Sequence, residues 1–163
     1  MKNQPLVTVY MPNHNYEEYI SQSIESVINQ SYLKWELIII LDGVVDESKK
    51  IAKKFAKLYP KKIFIIENKK KKGLQTCANL ALKKSKGKYF VRLDPDDYFN
   101  ESALLVMASY LENNKDVSIV YPDYFYVDKK SNILDVDTRK KIGTDVNVFD
   151  LPAHGACTMI RAS

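Results

Sequence analysis

"WELIIILD", Trp35 to Asp42, decides the architecture. After Glu36 the run is apolar without alternation until it ends on a carboxylate. A strand with one face in water alternates polar and apolar residues. An unbroken run therefore predicts a strand covered on both faces, as in a parallel sheet. Parallel neighbours need crossovers, and helical periodicity stands on either side of the run. Upstream, Ile20, Ile24, Val27 and Ile28 fall at helical offsets in "YEEYISQSIESVINQ". Downstream, Ile51, Phe55 and Leu58 mark a second apolar stripe with lysines opposite.

The pattern repeats outward. "PLVTVYM" (5–11), "KIFIIEN" (62–68) and "KYFVRLD" (88–94) read as further strands. Leu74, Cys77, Ala78, Ala81 and Leu82 trace a third helix that stops at Gly87. Leu104, Met107, Ala108 and Leu111 trace a fourth, with Asn100 as its N-cap. Beyond it the rhythm changes. "VSIVYPDYFYVD" (117–128) is a strand with a Pro interruption, "KKSN" a turn before "ILDVDT", and "HGACTMIRA" one more strand. Four β-α units in succession predict an α/β fold, a mostly parallel sheet flanked by helices in a Rossmann-like three-layer sandwich. Ligands then bind at the carboxyl edge of the strands.

A chain of 163 residues holds one such core, so residues 1–163 are read as a single domain. With 45% hydrophobic residues, 11 Tyr and 6 Phe, disorder is excluded. The formal charge is +5, carried by lysines on predicted helices and by "NKKKKG" (68–73). These read as solvated faces. No nucleic-acid module accompanies them, and nucleic acid is set aside as a partner. Cys77 and Cys157 have neither CxxC spacing nor a neighbour of that kind, which fits a reducing compartment. No secretory segment and no run of membrane-spanning length is read, so the chain is placed in the cytoplasm. Its positive charge suits peripheral contact with the inner face of an anionic membrane.

Four stretches fall on the carboxyl edge: "MPNHN" (11–15), "LDGVVDES" (41–48), "KKGLQTCAN" (71–79) and "LDPDD" (93–97). The first lacks the Gly-rich turn of a dinucleotide fold, and no GxxxxGK[ST] occurs, so both of those readings fall away. Three carboxylates among Asp94-Pro95-Asp96-Asp97 repel one another unless a cation lies among them. Hard oxygen ligands suit Mg²⁺ or Mn²⁺, and such an ion joins a protein to a diphosphate. A Pro-Asp turn explains the same residues locally. Asp42 can accept the imide N–H of a uracil or thymine ring or simply end a strand. His14 can stack on a base or hold its loop. No Ser or Cys stands near His14 at triad spacing, so nucleophilic catalysis is set aside. Lys72 and Gly73 open the third helix, where phosphates bind well.

In order and spacing these stretches resemble the family 2 glycosyltransferases with the GT-A fold. "VTVYMPNHN" is similar to the family's "VSVIIPTYN". "YISQSIESVINQSYLKWELIIILDG" is similar to its first helix, S-x-x-x-Q-x-Y/F turn and strand ending in Asp-Gly. "GLQTCANLALKKSKGKYFVRLDPDDYF" is similar to the stretch from G-x-x-x-A-R-N to LDxDD. The resemblance covers nearly the whole chain. It implies transfer of a sugar, with inversion, from a nucleotide-diphosphate donor, here a UDP-sugar, to a glycan or lipid-linked acceptor in cell-surface polysaccharide or glycolipid synthesis. Carried over by position, it implies nucleotide-sugar binding by Pro12, Asn13, His14, Asp42, Lys72, Gly73, Asp94, Pro95 and Asp96, with Asp96 and Asp94 on a divalent Mn²⁺ or Mg²⁺ ion. The sequence departs from the pattern at His14 (usually Tyr), Leu41 (often Asp), Val44 (usually Ser) and Ala78 (often Arg). Those changes bear most on the base.

Inverting transfer needs a general base for the acceptor hydroxyl. In the family it follows the strand resembling "GACTMIR", so the base is expected beyond Ser163, in a part of the enzyme outside this sequence. Asp137, Asp145 and Asp150 are poor positional matches. His154, Gly155 and Ala156 are expected on the acceptor side. Two other readings stand beside the transferase: a sugar-nucleotidyltransferase and a non-catalytic nucleotide-binding module. The first wants a Gly-rich basic loop where "MPNHNYEE" stands.

Overall fold

The computed structural model describes residues 4–138 and 156–162. Its elements are β1 (Val7–Asn13), α1 (Ile20–Ile28), β2 (Trp35–Asp42), α2 (Ser48–Leu58), β3 (Ile63–Asn68), α3 (Leu74–Lys84), β4 (Tyr89–Arg92) and α4 (Ala103–Asn113). Four short strands follow: β5 (Ile119–Val120), β6 (Tyr124–Val127), β7 (Ile133–Asp137) and β8 (Met159–Arg161). The main sheet runs β3-β2-β1-β4-β8-β5, and β6 and β7 form a separate hairpin. β1 lies parallel to β2 and β4, and β2 parallel to β3. β8 enters antiparallel between β4 and β5.

Strand alternation sorts the core into two layers. Val9, Met11, Leu37, Ile39 and Val91 pack with Ile20, Ile24 and Val27 of α1 and with Leu104 and Met107 of α4. Tyr10, Ile38, Ile40 and Phe90 face the other way, onto Cys77 and Ala81 of α3. Every residue of β2 is buried, including Glu36 and Asp42. Glu36 is satisfied by the Thr8 hydroxyl and the Lys86 N–H, each at 2.7 Å, which ties the start of β4 under β1 and β2.

Several expectations are corrected. Leu58 is 64% exposed, because α2 runs out beyond the sheet before its stripe is complete. Leu74 and Leu82 are likewise exposed, leaving Cys77 and Ala81 as the buried contacts of α3. Asn100 does not cap α4. Its Oδ1 accepts the Ser102 N–H at 3.0 Å in a turn, and the helix starts at Ala103. The run 117–128 is two strands, broken at Tyr121-Pro122-Asp123, where Pro122 has no N–H for a ladder.

Candidate functional site

From β1 the chain steps to β2 and β3 on one side, while β4 lies on the other. That reversal opens a crevice above the carboxyl ends of β1 and β4, the place where ligands bind in doubly wound sheets.

Asp42 organises the side of the crevice beside α3. Oδ1 accepts from Asn68 Nδ2 at 2.7 Å and from the Lys72 N–H at 2.9 Å. Oδ2 accepts from the N–H groups of Lys72 (3.0 Å) and Gly73 (2.9 Å). Burial pushes the Asp42 carboxyl up, but these donors outweigh it and hold its pKa below the usual value. Glycine makes the clasp possible on both sides. Gly43 has φ +66°, and a Cβ there would meet Lys71 N at 2.5 Å. Gly73 presents its N–H with φ +86°, a conformation that L side chains rarely adopt. The Asp42 carbonyl in turn accepts a 2.7 Å hydrogen bond from His14 Nδ1. A carbonyl can only accept, so Nδ1 carries the proton. One residue thus fixes the 72–73 backbone with its side chain and the His14 ring with its main chain.

Cys77 shares this pocket. Burial, reinforced by the charge of Asp42, pushes its thiol up to about 11, so it serves as a packing group and not as a nucleophile.

The β4 side carries the acids. Asp94 receives a two-pronged contact from Arg92, with Nε and Nη2 each 2.6 Å from one carboxylate oxygen. The Asp94 carbonyl accepts from the Ser23 hydroxyl of α1 at 3.0 Å. Pro95 is buried, whereas Asp96 and Asp97 are exposed. Tyr16, on the loop after β1, has its phenol pKa raised chiefly by the charge of Asp96, with burial, Asp94 and Asp97 adding to it. The loop after β1 therefore lies within electrostatic reach of the acids after β4. Tyr16 escaped the motif-based reading, although its place just past "MPNHN" is the available signal.

The structure brings His14, Asp42, Lys72 and Gly73 together, and Asp94 and Asp96 stand at the end of β4. Asn13, the last residue of β1, is fully buried. Its side-chain amide has no hydrogen-bond partner.

Beside Asp96 opens a cleft of about 390 Å³, lined by Tyr98, Phe99, Tyr124, Phe125 and Ala156 among others. Ala156 lines this cleft, while His154, Gly155, Asp145 and Asp150 lie outside the described residues. Asp137 accepts from the Tyr124 hydroxyl at 2.8 Å within the hairpin.

The donor chemistry can be tested against a divalent ion. Asp96 is an exposed hard-oxygen ligand, whereas both Asp94 oxygens are engaged by Arg92. Among the described residues no three His, Cys, Asp or Glu side chains converge. This fits an ion of the Mg²⁺ or Mn²⁺ type that takes few protein ligands and completes its shell with phosphate and water.

Sheet order, switch-point crevice and acidic strand end together define an α/β domain of the GT-A type. The chain belongs to glycosyl transferase family 2, whose profile matches residues 8–161. It is 40% identical over 118 residues to an uncharacterized glycosyltransferase of Haemophilus influenzae, covering 72% of this chain and 36% of that protein. It is 32% identical over 150 residues to the minor teichoic acid biosynthesis protein GgaB of Bacillus subtilis, covering 90% of this chain and 17% of that one. The mannosyltransferase PcManGT of Pyrobaculum calidifontis, solved with GDP-Man and Mn²⁺, shares the fold with TM-score 0.67 at 21% identity, over 72% of this chain and 35% of that one. The chain spans between 36% and 46% of the length of the first curated relatives it matches. Among the described residues no helix is long and apolar enough to cross a membrane.

Proposed function

We propose that this domain binds a nucleotide-diphosphate sugar for inverting transfer to a glycan or lipid-linked acceptor in the assembly of a cell-surface polymer. The observation that carries the reading is the clasp of Asp42 on the 72–73 backbone and on His14, on the same sheet edge as the exposed Asp96. The base lies against His14 and Pro12. Asp42 accepts an imide N–H by giving up one limb of the contact that the Lys72 N–H shares between its two oxygens; a uracil offers such an N–H and a cytosine lacks it, and a UDP-sugar is the donor assigned. Guanine also carries such an N–H, so GDP is the competing outcome. The exposed Lys72 ammonium, at the start of α3, favours the diphosphate, since the Lys72 and Gly73 N–H groups are held by Asp42.

Asp96 would hold the divalent ion, with Asp94 positioned behind it by Arg92. When bound, the ion offsets the charge that develops on the departing diphosphate. The aromatic cleft beside Asp96 takes the acceptor, since sugar rings pack their apolar faces on aromatic side chains. The teichoic acid protein among the relatives supports a cell-surface product.

Calorimetric titration of UDP, GDP, CDP and dTDP, with and without Mn²⁺, tests the reading. The expected result is Mn²⁺-dependent binding of UDP that is lost in Asp96→Ala, with CDP silent. Equal heats with and without the metal would sink the assignment of Asp96.

A further inference from the structure

Fifteen of the 25 basic residues, but only one of the 20 acidic residues, lie between Ser48 and Lys88. The rest of the chain is net acidic. The fold gathers this basic segment at one end of the sheet. It comprises α2, α3 and β3, and β3 is the edge strand. α2 and α3 pack on opposite faces, so their outer surfaces flank that edge. The single acid, Glu67 of β3, draws Lys49 (2.6 Å) and Lys53 (2.8 Å) of α2 toward the strand. From the α3 side, Lys86 lies 5.9 Å from the Phe64 ring of β3. Lys54, Lys57, Lys61, Lys70, Lys71 and Lys83 are exposed across the same region.

Two features say what such a face fits. All fifteen cations are lysine, none arginine. Lysines are compact point charges, suited to a diffuse anionic surface and not to the two-pronged reading of individual phosphates. Between them stand exposed apolar side chains: Leu58 at 64%, Leu82 at 44%, and Tyr59 and Phe64 at 37% each. A polyanion in water gives those groups nothing to enter, whereas a bilayer interface accepts apolar groups below the headgroups and lysines among them. We propose that the α2–β3–α3 edge is a docking face for an anionic lipid bilayer. Bound this way, the acidic end of β4 and its cleft lie on the far side of β2 and β1 from the lipid. The inference stands independently of the donor chemistry above.

Flotation of the purified protein with phosphatidylglycerol-rich and with pure phosphatidylcholine vesicles tests it, at low and at physiological salt. The expected result is binding to the anionic vesicles only, weakened by salt. Each lysine near such a surface contributes about fivefold, so Lys54→Glu, Lys57→Glu and Lys61→Glu together lower the partition by on the order of 100-fold. The same reversal at Lys115, Lys129 and Lys130, outside the face, leaves it largely intact. Leu58→Ser lowers vesicle binding and leaves heparin binding unchanged. Reversal at exposed sites relieves like-charge repulsion, and an unaltered thermal midpoint verifies folding. The proposal is overturned by absence of binding to the anionic vesicles, by equal effects of the two triple variants, by Leu58→Ser without effect on vesicles, or by capture on heparin alone.

Discussion

The block β3-β2-β1-β4 and the hairpin β6–β7 use apolar residues in opposite ways. In β2 all eight residues are buried, and Val7, Val9 and Met11 of β1 are sealed completely. In the hairpin Phe125, Tyr126, Ile133, Leu134 and Val136 are all exposed by between 48% and 67%. The first region is apolar because two helical layers cover it. The second is apolar with no cover from the described residues, beside a cleft proposed to receive an acceptor. Identical residue types thus hold a fold together in one region and stand available for contact in the other.

The sharpest way to break this comparison is a pair of truncations. Ile39→Ala, at a fully buried position, is expected to lower stability by about 2–5 kcal/mol in urea unfolding. Phe125→Ala should remain within about 0.5 kcal/mol of the parent while altering acceptor turnover in the whole enzyme. Equal losses of stability would erase the distinction.

Next in size is Asp42→Ala, which leaves the Asn68, Lys72 and Gly73 donors without their acceptor. A loss of about 2 kcal/mol is expected, together with weaker nucleotide binding. Asp42 has a lowered pKa in the folded state, so its contribution is present above the ordinary carboxylate value of 3.8. It is lost as pH falls through the folded value. A comparison of acid unfolding in the parent and in Asp42→Asn measures that difference.

The smallest effect lies at Glu112, where Lys88, followed by the Tyr89 hydroxyl, holds the carboxyl at about 2 against an ordinary 4.5. Its stabilisation is full above pH 4.5 and fades as pH falls toward 2. Glu112→Gln should flatten the stability curve in that window, lowering stability at neutral pH and leaving it little changed near pH 2. An unaltered curve would show that the half-exposed pair does nothing for stability.

The parallel block was legible because burial on both faces leaves a mark in the sequence. "WELIIILD" became β2 with those bounds, and the other three strands shifted by a few residues. The clustering of the edge motifs followed from topology, since right-handed crossovers bring every carboxyl end to one edge. What stayed hidden was residue-level detail. Asn13 stands in the middle of "MPNHN" with no sign in the sequence of its complete burial. Arg92 carries no signal as a partner of Asp94 until the backbone turns between them. The insertion of β8 beside β4 was invisible, because a three-residue strand takes its register from its neighbours. The basic edge was in plain view as lysines, but only the strand order shows that α2, β3 and α3 share one side.

That insertion of β8 has a consequence for how the chain assembles. Val120 pairs with Met159, and Val91 with the same residue, so the β4 side of the sheet remains an open edge until the chain has been made through Arg161. The parallel block can form earlier from neighbouring segments, whereas β8 pairs with strands far from it in sequence, and such closures slow folding. Arg161 then fastens the return: its guanidinium donates to the carbonyls of Leu111 (2.9 Å) and Val117 (3.0 Å) at the end of α4. Until that clasp closes, β4 offers unpaired backbone to any extended segment, including another nascent copy. The last few residues of the sheet therefore act as its guard against self-association during synthesis.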